Sequence, residues 1–296
     1  MAEPLLGNAV LQKLEQLALR RPGTSGKAGN QQHWHNAGGV REFIDHRSFY
    51  PGDDLRRVNW RAYLRSETLM VKLYRDDLHA RTRILLDCSR SMMSGSRIGE
   101  ETKFTYGKRL AAALLYMGLV RLEGTVVQPF SSGLSRPARF TGGRHIFASA
   151  ERYLVELRAE GGTDYARVAT EFLYRFPAPG LTVVISDFLG GGDCLRSLQS
   201  MMGAGHDLSL IQLSASEERS LPRGTALTVI DVESRTEMQV LVDDEGARLY
   251  EEAFARHSDA LRTVACSRGG NYVGLQTTTP VQKALFGAMV KAGMVG

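Results

Sequence analysis

Arg83-Ile84-Leu85-Leu86-Asp87-Cys88-Ser89-Arg90-Ser91 is the stretch on which the architecture turns. Its apolar triplet shows no polar alternation, so it reads as a strand covered on both faces, the habit of a central strand in a parallel sheet. The run stops at a carboxylate, and hydroxyls follow two and four residues later. A second apolar run, Leu181 to Ile185, ends in the same way at Ser186-Asp187. Working outward, helical spacing covers Ile98 to Leu122, His145 to Leu157, Tyr165 to Phe176 and Leu195 to Met202. Thr125 to Phe130 and Leu208 to Leu213 read as further strands. Strands alternating with helices predict an α/β fold with a doubly wound, mostly parallel, Rossmann-like sheet. Two β-rich pieces flank Ser234-Arg235-Thr236 within Thr228 to Val242, which predicts a hairpin inserted late, near residues 225–243. A helix over Leu249 to Val264, a strand at Tyr272 to Leu275 and a last helix over Val281 to Met289 follow.

Upstream the texture differs. Leu6, Val10, Leu11, Leu14 and Leu17 fall at near-helical spacing, and Arg21 to Gly39 is a Gly-, Asn- and Gln-rich linker. Arg41 to Asp77 is dense in arginine and aromatic residues, with strand alternation over Leu69 to Tyr74. The expected division is residues 1–37 as helix and linker, 38–81 as an arginine-rich, β-containing segment packing on the core, and 82–296 as the α/β domain.

The composition is that of an ordinary globular chain: 37 Lys+Arg against 32 Asp+Glu, with 43% hydrophobic residues. Disordered and collagen-like classes are excluded. The formal charge is +5, and the residues before Thr82 hold 13 basic and 9 acidic side chains. A local excess this mild does not by itself imply nucleic acid. Cys88, Cys194 and Cys266 form no CxxC pair, which argues against a zinc ribbon or a dithiol redox site and fits a reducing compartment. Glu3, Lys13 and Glu15 interrupt the N-terminal apolar stretch, unlike a signal peptide, and Leu110 to Val120 is too short to cross a bilayer. The expectation is a soluble, cytoplasmic protein.

In an open parallel sheet, ligands bind beyond the carboxyl ends of the strands. Asp87, Ser89, Ser91 and Asp187 would meet there, and Gly161-Gly162-Thr163-Asp164 ahead of a helix offers a third hydroxyl. Hard oxygen donors without Cys or His suit Mg2+, Mn2+ or Ca2+ rather than zinc. Each residue also has a plain structural use. Asp87 can cap a turn, Ser89 and Ser91 can satisfy loop amides, and Thr163 or Asp164 can cap the helix at Tyr165. Taken together and in order, Asp87-x-Ser89-x-Ser91, Gly162-Thr163 and Ile185-Ser186-Asp187 resemble the metal-ion-dependent adhesion site of von Willebrand factor A domains. The resemblance implies hydroxyl ligands from Ser89, Ser91 and Thr163, with Asp87 and Asp187 binding the metal directly or through water. It also implies an open position for the acidic side chain of a protein partner. Phe188 departs from the pattern, standing where many such domains have Gly. Arg90, Met92, Met93 and Phe188 are candidate rim contacts, with packing under the loops as the alternative.

Tyr50-Pro51-Gly52-Asp53-Asp54-Leu55-Arg56-Arg57-Val58-Asn59-Trp60-Arg61 combines a Pro-Gly turn with aspartates able to cap a helical turn. Arg56, Arg57, Arg61 and Arg65 then fall on neighbouring turns. This segment and Leu69-Met70-Val71-Lys72 closely resemble the bacterial domain-of-unknown-function-58 family, which joins such a segment to a von Willebrand A-like domain. The Asp231 to Thr236 hairpin and Tyr272 to Pro280 resemble its C-terminal part, so the likeness spans roughly residues 38 to 290. Through that family's association with MoxR-type AAA+ ATPases, it implies an adaptor or co-chaperone. The arginines can pair with Asp53, Asp54 and Glu67, or Arg56, Arg57 and Arg61 can face an acidic partner. A third reading joins them to Trp60, Tyr63, Phe49 and Tyr50 for single-stranded nucleic acid.

No P-loop and no GxSxG nucleophile elbow is present, and Gly190-Gly191-Gly192 reads as a loop. His79, His145, His206 and His257 cannot be placed beside the serines from sequence. The expected function is a non-catalytic, divalent-metal-dependent protein-binding module. A Mg2+-dependent phosphohydrolase is the enzyme alternative, because strand-end aspartates also serve phosphoryl transfer.

Overall fold

The computed structural model of the chain describes residues 4–20, 43–49, 58–74, 82–93, 101–189, 193–219, 221–230 and 237–296. It forms two compact units, one of Met1–Ser25 with Arg81–Gly296 and the other of Gly26–Ala80. Helix α1 (Asn8–Leu14) opens the larger unit.

In the smaller unit, β1 (Phe43–Ser48) and β2 (Met70–Tyr74) pair antiparallel, with Ser48 opposite Met70. Helix α2 (Trp60–Ser66) lies between them in the chain. Its N-cap is Asn59, whose Oδ1 accepts the Ala62 N–H at 3.2 Å. Glu67 closes it in the left-handed region, with φ of 51°. Trp60, Arg61, Tyr63, Leu64 and Arg65 are exposed, and Trp60 and Tyr63 meet edge to face at 6.2 Å. The Pro51-Gly52 turn, Asp53, Asp54, Arg56 and Arg57 lie outside the described residues.

The larger unit runs β3 (Thr82–Asp87), α3 (Lys103–Val120), β4 (Thr125–Phe130), β5 (Ala138–Phe140), α4 (Phe147–Glu156), α5 (Tyr165–Arg175), β6 (Leu181–Ser186), α6 (Cys194–Gly203), β7 (Asp207–Ser214), β8 (Thr225–Ile230), β9 (Glu237–Val242), α7 (Asp244–Cys266) and β10 (Asn271–Gln276). The last helix has α-helical turns, α8 (Val281–Lys283) and α9 (Met289–Lys291), flanking a π-helical stretch over Ala284–Ala288. Six strands make one sheet in the order β10-β7-β6-β3-β4-β5, and every neighbouring pair is parallel except β4 with β5. This is the doubly wound, mostly parallel α/β fold. β8 and β9 form the separate late hairpin, from Thr225 opposite Val242 to Ile230 opposite Glu237, and Asp231 to Thr236 lie outside the described residues.

Burial explains the order of layers. Every residue of β3, β4 and β6 is buried, as strands covered by helices on both faces must be. Ile84, Leu86, Val127, Val183, Ile185, Ile211 and Leu213 turn one way, into a core shared with α1, α3, α4 and the last helix. The alternate residues Leu85, Val184 and Leu210 are equally buried on the other face. From Leu110 to Val120 α3 is apolar around its whole circumference, and the helix is correspondingly buried almost throughout. Gly107 lets it sit close on the sheet, because a Cβ there would lie 3.2 Å from Leu86 Cδ1.

The sequence pattern groups α1 with the linker, outside the α/β domain. Its Leu6, Val10 and Leu14 belong to the main core, with Leu14 wholly buried. Among the described residues β1 and β5 escaped the sequence patterns, and α2, expected as helical turns capped by Asp53 or Asp54, is capped by Asn59 instead. β5 has three residues, too few to show a period. Among the described residues no helix is long and apolar enough to cross a membrane.

Candidate functional site

β3 and β6 are parallel neighbours with Leu86 opposite Ile185, so their last residues, Asp87 and Ser186, come side by side at the carboxyl edge. The Ser186 hydroxyl donates to Asp87 Oδ2 at 2.6 Å, and the Ser89 N–H donates to Oδ1 at 2.8 Å. Ser186 Oγ in turn accepts the Phe188 N–H at 2.9 Å, and the Tyr165 hydroxyl at the head of α5 lies 2.9 Å from it. Ser89 Oγ and Ser91 Oγ are 3.0 Å apart. The 87–91 loop is stitched to both sides. The Cys88 N–H donates to the Phe130 carbonyl at 2.7 Å, and the Arg90 N–H donates to the Gly161 carbonyl at 2.8 Å. The Glu160 N–H donates to the Cys88 carbonyl at 2.7 Å. These last two bonds bring the loop that carries half-buried Thr163 against the Asp87 turn.

Asp164, not Thr163, caps α5: its side chain accepts the Arg167 N–H at 2.9 Å. The loop therefore has a structural cap and leaves Thr163 outside that duty. Asp187 follows β6 directly. Its Oδ1 accepts the Leu189 N–H at 3.1 Å, and its Oδ2 holds the Lys103 ammonium at 2.7 Å. The same ammonium forms a short hydrogen bond to Glu218 Oε1. Glu218 is anchored by the Ala215 N–H on Oε2 at 2.9 Å and by the Tyr250 hydroxyl on its carbonyl at 2.9 Å.

The electrostatics follow from burial. Desolvation, and then the facing Asp187, raise the Asp87 carboxyl to about 7, although hydrogen bonds from Ser186 and Ser89 pull the other way. Burial opposes the charge on Lys103, but Asp187 and Glu218 overcome it and hold its pKa above the ordinary lysine value. The thiols of Cys88 and Cys194 are pushed up to about 12, chiefly by burial, so neither is an activated nucleophile.

Two of the sequence-predicted rim contacts are corrected. Met92 and Phe188 are both 0% exposed, so they pack under the loops and present no surface. Phe188 takes φ of 55°, the left-handed backbone that the Gly of the resembling pattern would adopt freely. Its ring stacks near-parallel on Tyr165, with centroids 6.4 Å apart. Arg90 is half-buried and Met93 is exposed on the rim. Arg61 is exposed on α2 in the smaller unit.

Sequence reasoning missed Lys103, Glu218, Tyr165 and His257. His257 Nε2 lies 2.9 Å from the Phe188 carbonyl, so α7 touches the loop after β6. Lys103 left one signal: a cation in the first turn of a helix, at the end where the helix dipole disfavours it. Glu218 and His257 left none.

The residues fit a divalent cation. Asp87 and Asp187 are buried and close enough to perturb each other. The Ser89 and Ser91 hydroxyls sit on the Asp87 turn, the loop that carries Thr163 is bonded to that turn, and an all-oxygen set suits Mg2+, Mn2+ or Ca2+. Among the described residues, no group of three or more His, Cys, Asp or Glu is arranged to hold a metal. The donor set at this edge is two carboxylates with hydroxyls, a different type.

Comparison with known proteins agrees in family. The family model "Protein of unknown function DUF58" matches residues 45–260. An uncharacterized protein of Mycobacterium tuberculosis is 27% identical over 222 residues, covering 74% of this chain and 69% of the relative, and an uncharacterized protein of Mycobacterium bovis matches equally. Among solved structures, the conserved hypothetical protein BatB from Bacteroides thetaiotaomicron is similar with a TM-score of 0.43 and 16% identity, over 72% of this chain and 98% of that one. The Rpn10 VWA domain is similar with a TM-score of 0.38 and 11% identity, over 69% of this chain and 92% of that one. The match of the family model over most of the sequence means that the chain belongs to the DUF58 family.

Proposed function

We propose that the larger unit is a non-catalytic protein-binding module that captures an Asp or Glu side chain of a partner with the help of a divalent cation. The observation that supports it is the convergence at one sheet edge of Asp87, the Ser89–Ser91 turn, the Thr163 loop and Asp187. When bound, Mg2+, Mn2+ or Ca2+ would be held by Asp87, Ser89, Ser91, Thr163 and Asp187, and would attract an incoming carboxylate as a Lewis acid. The chain's own residues prepare the place. Ser186 orients Asp87, Tyr165 supports Ser186, and Lys103 holds Asp187. Both Asp87 oxygens accept hydrogen bonds, which suits a held ligand better than a free nucleophile. Surrounding surface must supply most of the affinity, as interface cores do. Through the family association, a MoxR-type AAA+ ATPase is the partner to try first.

The test is a pull-down with and without EDTA, alongside Mg2+ and Mn2+ thermal shifts, for the wild type and Asp87→Ala. Metal should raise the wild-type melting temperature and leave Asp87→Ala unmoved. An equal shift in both would remove the metal site. Metal-dependent hydrolysis of a generic phosphate ester, lost in Asp87→Asn, would favour the phosphohydrolase reading instead.

A second reading concerns the smaller unit. Trp60 is 53% exposed, beside exposed Tyr63, Arg61 and Arg65, an arrangement on which single-stranded bases can stack. Quenching of Trp60 fluorescence by oligonucleotides, weakening with salt, would support it. Unquenched Trp60 at low salt would dismiss it.

A further inference from the structure

Lys103 stands where a lysine is costly. It is the first residue of α3, where the helix dipole repels a cation, and it is 0% exposed. A buried ammonium persists only when it is paired and hydrogen-bonded. Its partners are chosen unequally from the candidate site. It takes Asp187 Oδ2 at 2.7 Å and, behind the site, Glu218 Oε1. Glu218 is itself pinned by the Ala215 N–H, so its second oxygen is aimed at the ammonium. The hydrogen bonds to Asp87 described above come only from neutral donors, the Ser89 N–H and the Ser186 hydroxyl. Of two carboxylates at one edge, Asp187 therefore has a fixed counter-ion, and among the described residues no ion pair to Asp87 is seen.

We propose that Lys103 is a resident cation that sets the metal affinity of this edge: it claims Asp187 as its counter-ion, leaves Asp87 with the hydroxyls as the stronger ligands, and keeps the loaded site short of negative charge. This rests on the metal-binding reading above and deepens it. Asp87 and Asp187 carry two negative charges, and Lys103 returns one positive charge. A divalent ion brings that trio to a formal +1, and Glu218 brings the four side chains and the ion to zero, so the loaded edge has no negative charge to spare. Without Lys103 the same edge would stay negative; the lysine therefore weakens metal binding by the bare protein, and an arriving carboxylate supplies the charge it removes. Lys103 is thus a positioning residue that favours joint binding of metal and acidic partner over binding of metal alone.

The experiment is calorimetric titration of the full chain with Mn2+ for wild type, Asp87→Ala, Lys103→Met, Glu218→Gln and the Lys103→Met/Glu218→Gln double variant, with near-UV circular dichroism to report the fold. Removing a positive charge beside the site should tighten Mn2+ binding, and removing the negative charge behind it should weaken it, each by about tenfold or less. The double variant should return toward wild type. A purely structural ion pair would instead move both single variants in the same direction through loss of fold. Folded Lys103→Met that binds Mn2+ no better than wild type overturns the proposal. Should Lys103→Met not fold, Glu218→Gln decides: weaker binding supports the proposal, and unchanged or tighter binding overturns it. Wild type that binds no Mn2+ overturns the metal reading and this proposal with it. Wild-type binding lost in Asp87→Ala, with both charge variants shifted the same way, overturns the resident cation alone.

Discussion

At Phe188 two local demands conflict. Its φ of 55° is a backbone state that costs a non-glycine residue about 1–3 kcal/mol, yet its ring is fully buried against Tyr165. Loss of such a ring costs about 3–5 kcal/mol, so burial wins and the strained backbone is retained. Phe188→Gly and Phe188→Ala should both destabilise, but Phe188→Gly by about 1 kcal/mol less, because glycine accepts the backbone freely. Urea unfolding would check this, and equal losses would mean that the backbone is not strained. Asp87 carries a pH signature. Burial and Asp187 keep its carboxyl protonated up to about 7 in the folded protein, whereas the unfolded chain releases that proton near the ordinary carboxylate value. The stability it contributes is present below the unfolded value and is lost as pH rises through the folded one. His206 acts in the opposite sense: burial and Arg83 lower it to about 4, so its contribution is lost as pH falls below the ordinary histidine value. Measured as the difference from Asp87→Asn, in which the His206 contribution cancels, chelated wild-type protein should therefore lose stability between about pH 4 and 7 and level off above that. Parallel curves would assign the loss to another group.

At the scale of elements, the loop before α5 separates two roles that neighbouring residues could have shared. Asp164 is the helix cap, and Thr163 stands beside the Asp87 turn. Asp164→Ala should lower stability by about 1 kcal/mol and leave the Mn2+ thermal shift intact. Thr163→Ala should do the reverse. A Mn2+ response abolished by Asp164→Ala and preserved in Thr163→Ala would withdraw Thr163 from the ligand set. The strands carrying the site were legible because β3 and β6 are short apolar runs, each ending in a polar residue, and burial on both faces removes any alternation. β5 was not legible, and α2 only as helical turns without their bounds. A three-residue strand and a seven-residue helix with an exposed apolar face carry little periodic signal.

At the scale of the whole molecule, the sheet's core extends to the start of the chain. Leu14 of α1 is 0% exposed and shares a cluster with α3 and the last helix. The segment after α1 pairs with the segment after α9, with Leu19 bridging Val295 and the Ala18 N–H donating to the Gly296 carbonyl at 2.9 Å. Leu14→Ala should cost about 3 kcal/mol, measured by thermal or urea unfolding. A loss below about 0.5 kcal/mol would show α1 to be an appendage, since that is the range of surface substitutions.

The sequence by itself determined the α/β class, most strands and helices of the larger unit, and the pair of strand-end carboxylates with hydroxyls following the first. Those features are local: an apolar run, its period and the residue that stops it all lie within a few positions. Only the tertiary structure decided that Lys103 holds Asp187 and Glu218, partners 84 and 115 residues away, that His257 of α7 reaches the Phe188 carbonyl, and that α1 belongs to the core. The physical reason is that an ion pair or a shared core is fixed by how elements pack, and packing brings together residues whose separation along the chain carries no periodic trace.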